Sequence, residues 1–175
     1  NAGYAVTWTD TSTDRKTCNS CTPGQFQDEK EKSSCKPCQA GFYNDDTTTT
    51  KGYNDCKICP NGRYNPESSS TSCLVCEAGT FNDGTGQTVC RVCDAGQFQN
   101  EQEKLSCKRC PAGRYNIHDT TSKENHDNID DCTICGKGTY STALGLAAAC
   151  TNCTAGKYNN DDSTDSTKHD LLVKC

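Results

Sequence analysis

Methionine is absent from the 175 residues, tryptophan occurs once and proline only five times. Isoleucine, leucine, valine and phenylalanine together supply 19 residues, about a ninth of the chain. So few apolar side chains cannot build one hydrophobic core for a chain of this length, so a covalent or metallic brace must replace it. That shortage argues against most enzyme folds, which need a buried scaffold to hold reacting groups still. Long apolar runs are lacking too. The longest, from Ala143 to Ala149, contains Gly145 and is far shorter than the roughly 20 residues that span a bilayer. Basic charge is neither abundant nor clustered: 18 Lys and Arg stand against 23 Asp and Glu, a net charge of −5. Nucleic acid is therefore not an expected partner. The chain begins at Asn1 with no initiator and reads as an excerpt from a longer polypeptide.

Cysteine fills the gap. There are 17, close to one residue in ten, which reads as a small-module scaffold rather than as disorder. They fall in eight C-x-x-C pairs, Cys18/Cys21, Cys35/Cys38, Cys56/Cys59, Cys73/Cys76, Cys90/Cys93, Cys107/Cys110, Cys132/Cys135 and Cys150/Cys153, with Cys175 left over. Every pair is followed by x-x-Gly-x-[Phe/Tyr]-[Asn/Gln/Ser]. The chain is thus one repeat written eight times, here repeats 1 to 8. The stretch Gly24–Cys38 aligns with Gly96–Cys110 at 11 of 15 positions, so the repeats also come in blocks of four. Three segments follow: a β-prone N-terminal segment or linker (1–17), a first block (18–89) and a second (90–175) that ends inside a ninth motif. Polar tracts of variable length separate the motifs, as surface loops permit.

Glycine two residues before an aromatic predicts a tight turn feeding a short strand, with the polar tract returning the chain to the next cysteine. The expected fold class is small disulfide-rich repeats of irregular β-hairpins with little regular secondary structure. Glu29–Lys32 and Glu101–Leu105 suit a helical turn, and Tyr4–Thr9 alternates like a strand.

Disulfides and zinc both use repeated C-x-x-C. Against zinc, a glycine directly after the second cysteine occurs only at Gly136, and His118, His126 and His169 have no ligand register with any pair. The recurrent aromatic suits packing over a disulfide. Loop arithmetic leaves two pairings open. One joins the second cysteine of each pair to the first of the next, from Cys21–Cys35 to Cys153–Cys175, and leaves Cys18 for an upstream or intermolecular bond. The other joins first to first and second to second, and leaves Cys175.

The pattern C-x-x-C-x-x-G-x-[FY], with a return such as Gly86-Gln-Thr-Val-Cys90, resembles the ephrin-receptor-type cysteine-rich repeat. It is also similar to the first module of the tumour-necrosis-factor-receptor cysteine-rich domain, and to C-x-x-C arrays in protist surface antigens. The resemblance spans 18–175. It implies an extracellular, elongated, non-enzymatic rod bonded by the offset scheme: Cys21–Cys35, Cys38–Cys56, Cys59–Cys73, Cys76–Cys90, Cys93–Cys107, Cys110–Cys132, Cys135–Cys150 and Cys153–Cys175. The second, interlocked module of the tumour-necrosis-factor receptors is not found in this sequence.

Other chemistry is thin. Each aromatic is expected to cover its own disulfide. The acidic clusters Asn44-Asp45-Asp46, Asn82-Asp83, Asp127–Asp131 and Asn159–Asp162 offer oxygen ligands for weak calcium binding, but none has the spacing of an EF-hand loop, and solvated turns are the expected role. Thiol oxidoreductases need one activated pair beside a βαβ core, which is missing. No cofactor and no catalytic residue are expected. Asn152-Cys153-Thr154 is a candidate N-glycosylation site, and the Ser/Thr tracts at 47–50 and 68–72 are candidates for O-linked sugars. The expected role is a structural component of a surface coat, stalk or fibre that self-associates. A receptor or adhesin ectodomain binding protein or glycan is the competing reading, and a zinc array the third.

Overall fold

The computed structural model describes residues 4–8, 16–45 and 55–175. The Thr47–Thr50 tract and Asp46 lie outside the described residues.

Each repeat starts at a turn. Gln25 N–H donates to the Thr22 carbonyl (3.0 Å), which puts Pro23 second and Gly24 third with φ +81°, the positive φ that a type II turn requires there. The chain leaves this turn as a two-residue strand carrying the aromatic. It returns through the loop to the two residues between the next pair of cysteines. Gln25 therefore faces Pro37, and Phe26 faces Lys36.

Strand β1 (Tyr4–Trp8) pairs with β2 (Lys16–Ser20). The antiparallel hairpins that follow are β3 (Gln25–Phe26) with β4 (Lys36–Pro37), β5 (Phe42–Tyr43) with β6 (Lys57–Ile58), and β7 (Arg63–Tyr64) with β8 (Leu74–Val75). Then come β9 (Thr80–Phe81) with β10 (Arg91–Val92), β11 (Gln97–Phe98) with β12 (Lys108–Arg109), β13 (Arg114–Tyr115) with β14 (Thr133–Ile134), and β15 (Thr139–Tyr140) with β16 (Thr151–Asn152). The described residues divide into two compact bodies. One comprises those up to Val75 together with Gly84–Val89, and the other Cys76–Asp83 with Cys90–Cys175.

The expectation of small disulfide-rich hairpin repeats is met. Eight disulfides run in tandem: Cys21–Cys35, Cys38–Cys56, Cys59–Cys73, Cys76–Cys90, Cys93–Cys107, Cys110–Cys132, Cys135–Cys150 and Cys153–Cys175. Their Cα–Cα separations of 5.5–5.8 Å are ordinary for the bond.

Two details depart from expectation. No helical turn forms at Glu29–Lys32 or Glu101–Leu105. Glu31 (φ 63°) and Glu103 (φ 60°) are left-handed, and a left-handed residue ends a right-handed helix. Among the described residues helix occurs only as 3-10 turns in the two long loops, at Lys123–Asn125, Ile129–Asp131, Ser166–Lys168 and Leu172–Lys174. Second, among the described residues the one buried aromatic ring, Phe98, clusters with Cys110 and Cys132. It packs on the bridge of the following repeat.

Candidate functional site: the clamp between successive repeats

The buried side chains are mostly cysteines and amides, so the core is a chain of links. The second cysteines Cys38, Cys59, Cys76, Cys93, Cys110 and Cys135 have no exposed surface, and the polar residue after each aromatic is buried in every repeat: Gln27, Asn44, Asn65, Asn82, Gln99, Asn116, Ser141 and Asn159. A buried amide must find partners for both ends. Its oxygen accepts from the backbone N–H two residues on, as Asn65 does from Glu67 (3.2 Å) and Asn159 from Asp161 (2.9 Å), and this opens the loop. Its NH2 goes elsewhere. Asn44 and Asn65 donate backward to the strand carbonyls of Gln25 (2.7 Å) and Phe42 (2.6 Å) in the preceding repeat. Gln27 and Gln99, one methylene longer, reach their own loops at Ser34 and Ser106.

In the long loops a histidine takes the backward contact. Asn116 and Asn159 donate to the carbonyls of Asn125 (2.8 Å) and Lys168 (2.6 Å) within their own loops. His126 and His169, both fully buried, place Nδ1 2.9 Å from the Gln97 and Thr139 carbonyls of the preceding repeat. His126 Nε2 lies 2.9 Å from the Asp119 carbonyl, and His169 Nε2 lies 3.0 Å from the Asp161 carboxylate. These two anchors were not singled out by spacing against cysteine. A signal exists, however: His-Asp stands six residues before Cys132 and again six before Cys175.

The backbone completes the clamp. Gly24 N–H donates to the Asn44 carbonyl of the next repeat (2.9 Å), and Cys38 N–H returns to the Gly24 carbonyl (2.8 Å). Asn44 N–H then donates to Ser70 in the loop of repeat 3 (3.0 Å). The same loop covers the glycine two repeats back. A Cβ at Gly24 would lie 2.0 Å from the Ser69 carbonyl, and Gly41, Gly79, Gly96 and Gly113 each meet a carbonyl at 2.2 Å. In repeats 1, 2, 4, 5 and 6 the turn glycine is therefore tied to the next repeat by a hydrogen bond and covered by a carbonyl of the repeat after that.

Charge lies outside the clamp. Lys36 and Lys32 hold the Glu29 carboxyl down to about 2, and Lys104 with Lys108 does the same for Glu101. Both clips are half exposed, so solvent and salt leave them little weight. Asp161 differs, its side chain being only 5% exposed. Burial acts to raise its carboxyl, but Lys168, His169 and the Asp165 N–H outweigh that and hold it well below the usual range. In the other acidic clusters Asp45 pairs with Lys57 (2.5 Å) and Asp83 with Arg91. Among the described residues no three His, Cys, Asp or Glu side chains converge on a metal-sized site. Sixteen cysteine sulfurs are bonded to one another, which removes them as zinc ligands.

Cys18 sits in β2 opposite Val6, and its side chain lies outside the described part of the molecule. Asn152 is exposed in β16, facing Thr139. The first hairpin went unread as a repeat. Tyr4 and Ala5 face Ser20 and Asn19, between Cys18 and Cys21, in the register by which Gln25 and Phe26 face Pro37 and Lys36. The available signal was Ala2-Gly3, the same dipeptide as Ala40-Gly41, Ala78-Gly79, Ala95-Gly96, Ala112-Gly113 and Ala155-Gly156. The likeness is masked because alanine, at Ala5, stands where the aromatic belongs.

A turn-strand clamp closed by tandem disulfides is the arrangement on which comparison with known families bears. Residues 79–127 match the family described as tyrosine-protein kinase ephrin type A/B receptor-like. Those residues are similar to the ephrin-receptor-like repeat. The match takes in repeats 4 to 6 from Gly79 to the loop that ends on the His126 anchor, and repeats 1 to 3, 7 and 8 share its cysteine and glycine spacing. No curated protein matches the chain. The matched family has a receptor-type description, and tandem disulfides are the mark of chains that fold in an oxidising compartment such as the extracellular space. No helix among the described residues is long and apolar enough to cross a membrane.

Proposed function

We propose that the chain is a structural component of an extracellular coat, stalk or fibre, in which ephrin-receptor-like repeats act as a stapled spacer that associates with its own copies. The observation that carries this reading is the use to which the invariant residues are put. In repeats 1, 2 and 4 to 7 the turn glycine bonds the next repeat, and the buried amides bond the preceding repeat or their own loop, while the loops between them are polar and vary in length. Asn152 is the proposed acceptor of an N-linked glycan, being exposed on the last hairpin, and the Ser68–Ser72 tract is proposed for O-linked sugars. The receptor-type name of the matched family favours a second reading, an ectodomain that recognises a protein or glycan.

The deciding experiment measures intact mass after alkylation under denaturing, non-reducing conditions, beside sedimentation of the native chain. The structural reading expects at most one labelled thiol and association that grows with concentration. Seventeen labelled thiols, or a stapled chain that stays monomeric and captures glycans from an array, would overturn it.

A further inference from the structure

The chain holds one Asn-x-Ser/Thr tripeptide, Asn152-Cys153-Thr154, and its middle residue is a disulfide cysteine. The Asn152 side chain is exposed, while the backbone around it is held at every residue. Asn152 lies in β16, paired with Thr139 across the hairpin. Cys153 N–H donates to the Gly138 carbonyl (2.8 Å), and the Thr154 carbonyl accepts from Lys157 N–H (3.0 Å). Two disulfides bracket the acceptor, Cys150 to Cys135 before it and Cys153 to Cys175 after it. The exposure belongs to this place in the repeat, since Ile58 in β6 and Arg109 in β12 hold the same place with further repeats after them and are exposed too. A folded hairpin thus offers the amide but not the tripeptide. An enzyme that reads acceptor and hydroxyl residue together must seat all three residues in its own groove. That requires local opening of β16, which the two bracketing bonds oppose.

We propose that N-glycosylation of Asn152 is gated by disulfide closure: the sugar is accepted until Cys153–Cys175, the later of the two bonds, has formed, and the closed hairpin then carries it. The proposal rests on the reading of Asn152 as a glycan acceptor and adds what regulates that site. In the transfer, Asn152 Nδ2 bonds to the anomeric carbon of an oligosaccharide supplied as its glycosyl diphosphate. The bond to the diphosphate breaks, the diphosphate leaves with the electron pair, and the amide gives up one proton. In the closure, the two thiols lose two protons and two electrons to a disulfide oxidant, which becomes a dithiol. The two reactions share a time interval. Cys175 lies 22 residues after Cys153, so at roughly 5–20 residues per second the bond waits about 1–4 s for its partner to be made. Disulfide formation itself takes seconds to hours. Occupancy at Asn152 therefore falls where oxidation is fast and rises where it is slow. The exposed side chain leaves room for the sugar once the hairpin has closed.

The test is the fraction of chains carrying a glycan at Asn152, read by mass before and after glycosidase treatment in a eukaryotic host that secretes the protein. Cys18→Ser is present in all samples, so that Cys153 has no stray partner, and Asn152→Gln supplies the blank. The parent is expected to be partly occupied. A pulse of dithiothreitol during synthesis, and separately Cys175→Ser, are each expected to raise the occupied fraction about twofold. Purified chain lacking the glycan is then offered to a microsomal transferase with its glycosyl diphosphate. The reduced and alkylated chain is expected to accept the sugar and the oxidised chain to refuse it, whatever the variant's folding. A fully occupied parent, equal occupancy in all samples, or equal acceptance by oxidised and reduced chains would overturn the gate and leave Asn152 an acceptor. No glycan on any sample, the reduced chain included, would overturn the acceptor reading as well.

Discussion

Gly113 and Gly156 hold the same place in their repeats, with φ of +78° and +82°, and their surroundings are opposite. A Cβ on Gly113 would lie 2.2 Å from the Ser166 carbonyl, while one on Gly156 would meet nothing. The difference shows that glycine serves two separate demands here. The turn needs a positive φ in every repeat. The close approach of the loop two repeats on is an added demand, made only where that loop is present. Gly113→Ala and Gly156→Ala separate the two. Left-handed strain costs both about 1–2 kcal/mol, and Gly113→Ala adds a backbone collision, for a total of about 4 kcal/mol. Thermal or denaturant unfolding is the measurement, and equal losses at both sites would break the comparison.

The two 22-residue disulfide loops sharpen it further. Cys110–Cys132 and Cys153–Cys175 close loops of equal length, so chain entropy gives each about 3 kcal/mol. Their settings differ, since Phe98 packs on Cys110 and Cys132 and repeats lie on both sides. Replacing both cysteines of the interior bond by serine is expected to expose amides in repeats 5 to 8. Replacing Cys153 and Cys175 should release only the residues after Tyr140. Hydrogen exchange resolved by residue decides, because an array tied by nearest neighbours loses protection locally.

A smaller effect is expected at the histidine anchors. His126→Ala leaves the Gln97 and Asp119 carbonyls without this partner inside the clamp, at about 1–3 kcal/mol for a buried unpaired group. His169→Ala removes the matching contacts to Thr139 and Asp161, but the last loop has no described repeat beyond it. The loss should again reach the neighbouring repeats for the first and be confined to the last loop for the second.

These pairs also show what a sequence of this kind makes legible. The fold class could be read because cysteine, glycine and aromatic recur at fixed spacing, and local turn chemistry needs nothing more. The pairing of cysteines stayed open between two schemes in the residues themselves, because loop lengths of 14 to 22 suit either. The clamp was not legible. It depends on which carbonyl each Asn, Gln or His reaches, and Gln27, Asn44 and His126 give three answers to one need. Likewise no spacing rule says that Ser69 covers Gly24, since that contact is set by how hairpins stack.

The long loops differ most finely in what the second ring nitrogen meets, and pH reads that difference. His126 Nε2 faces a backbone carbonyl, which does not titrate, and His169 Nε2 faces the Asp161 carboxylate. Asp161 also accepts from Lys168 (3.1 Å) and from the Ser163 N–H (3.1 Å). Its carboxyl is held well below the usual range in the folded chain, so folding favours the ionised form. The resulting stabilisation is whole above the unfolded value of about 3.9 and is lost as pH falls through the lower folded value. Asp119 is held low as well, by the Thr121 hydroxyl and N–H, but it is exposed and contributes little. Acidification from pH 5 toward 2 is therefore expected to loosen residues 161–175 before the 110–132 loop, followed by hydrogen exchange or NMR shifts. Asp161→Asn should remove that order, since an amide keeps its oxygen for donors and does not titrate. Parallel loosening of both loops in the parent would mean that the carboxylate adds nothing to the anchor, and the two histidines would then be equivalent.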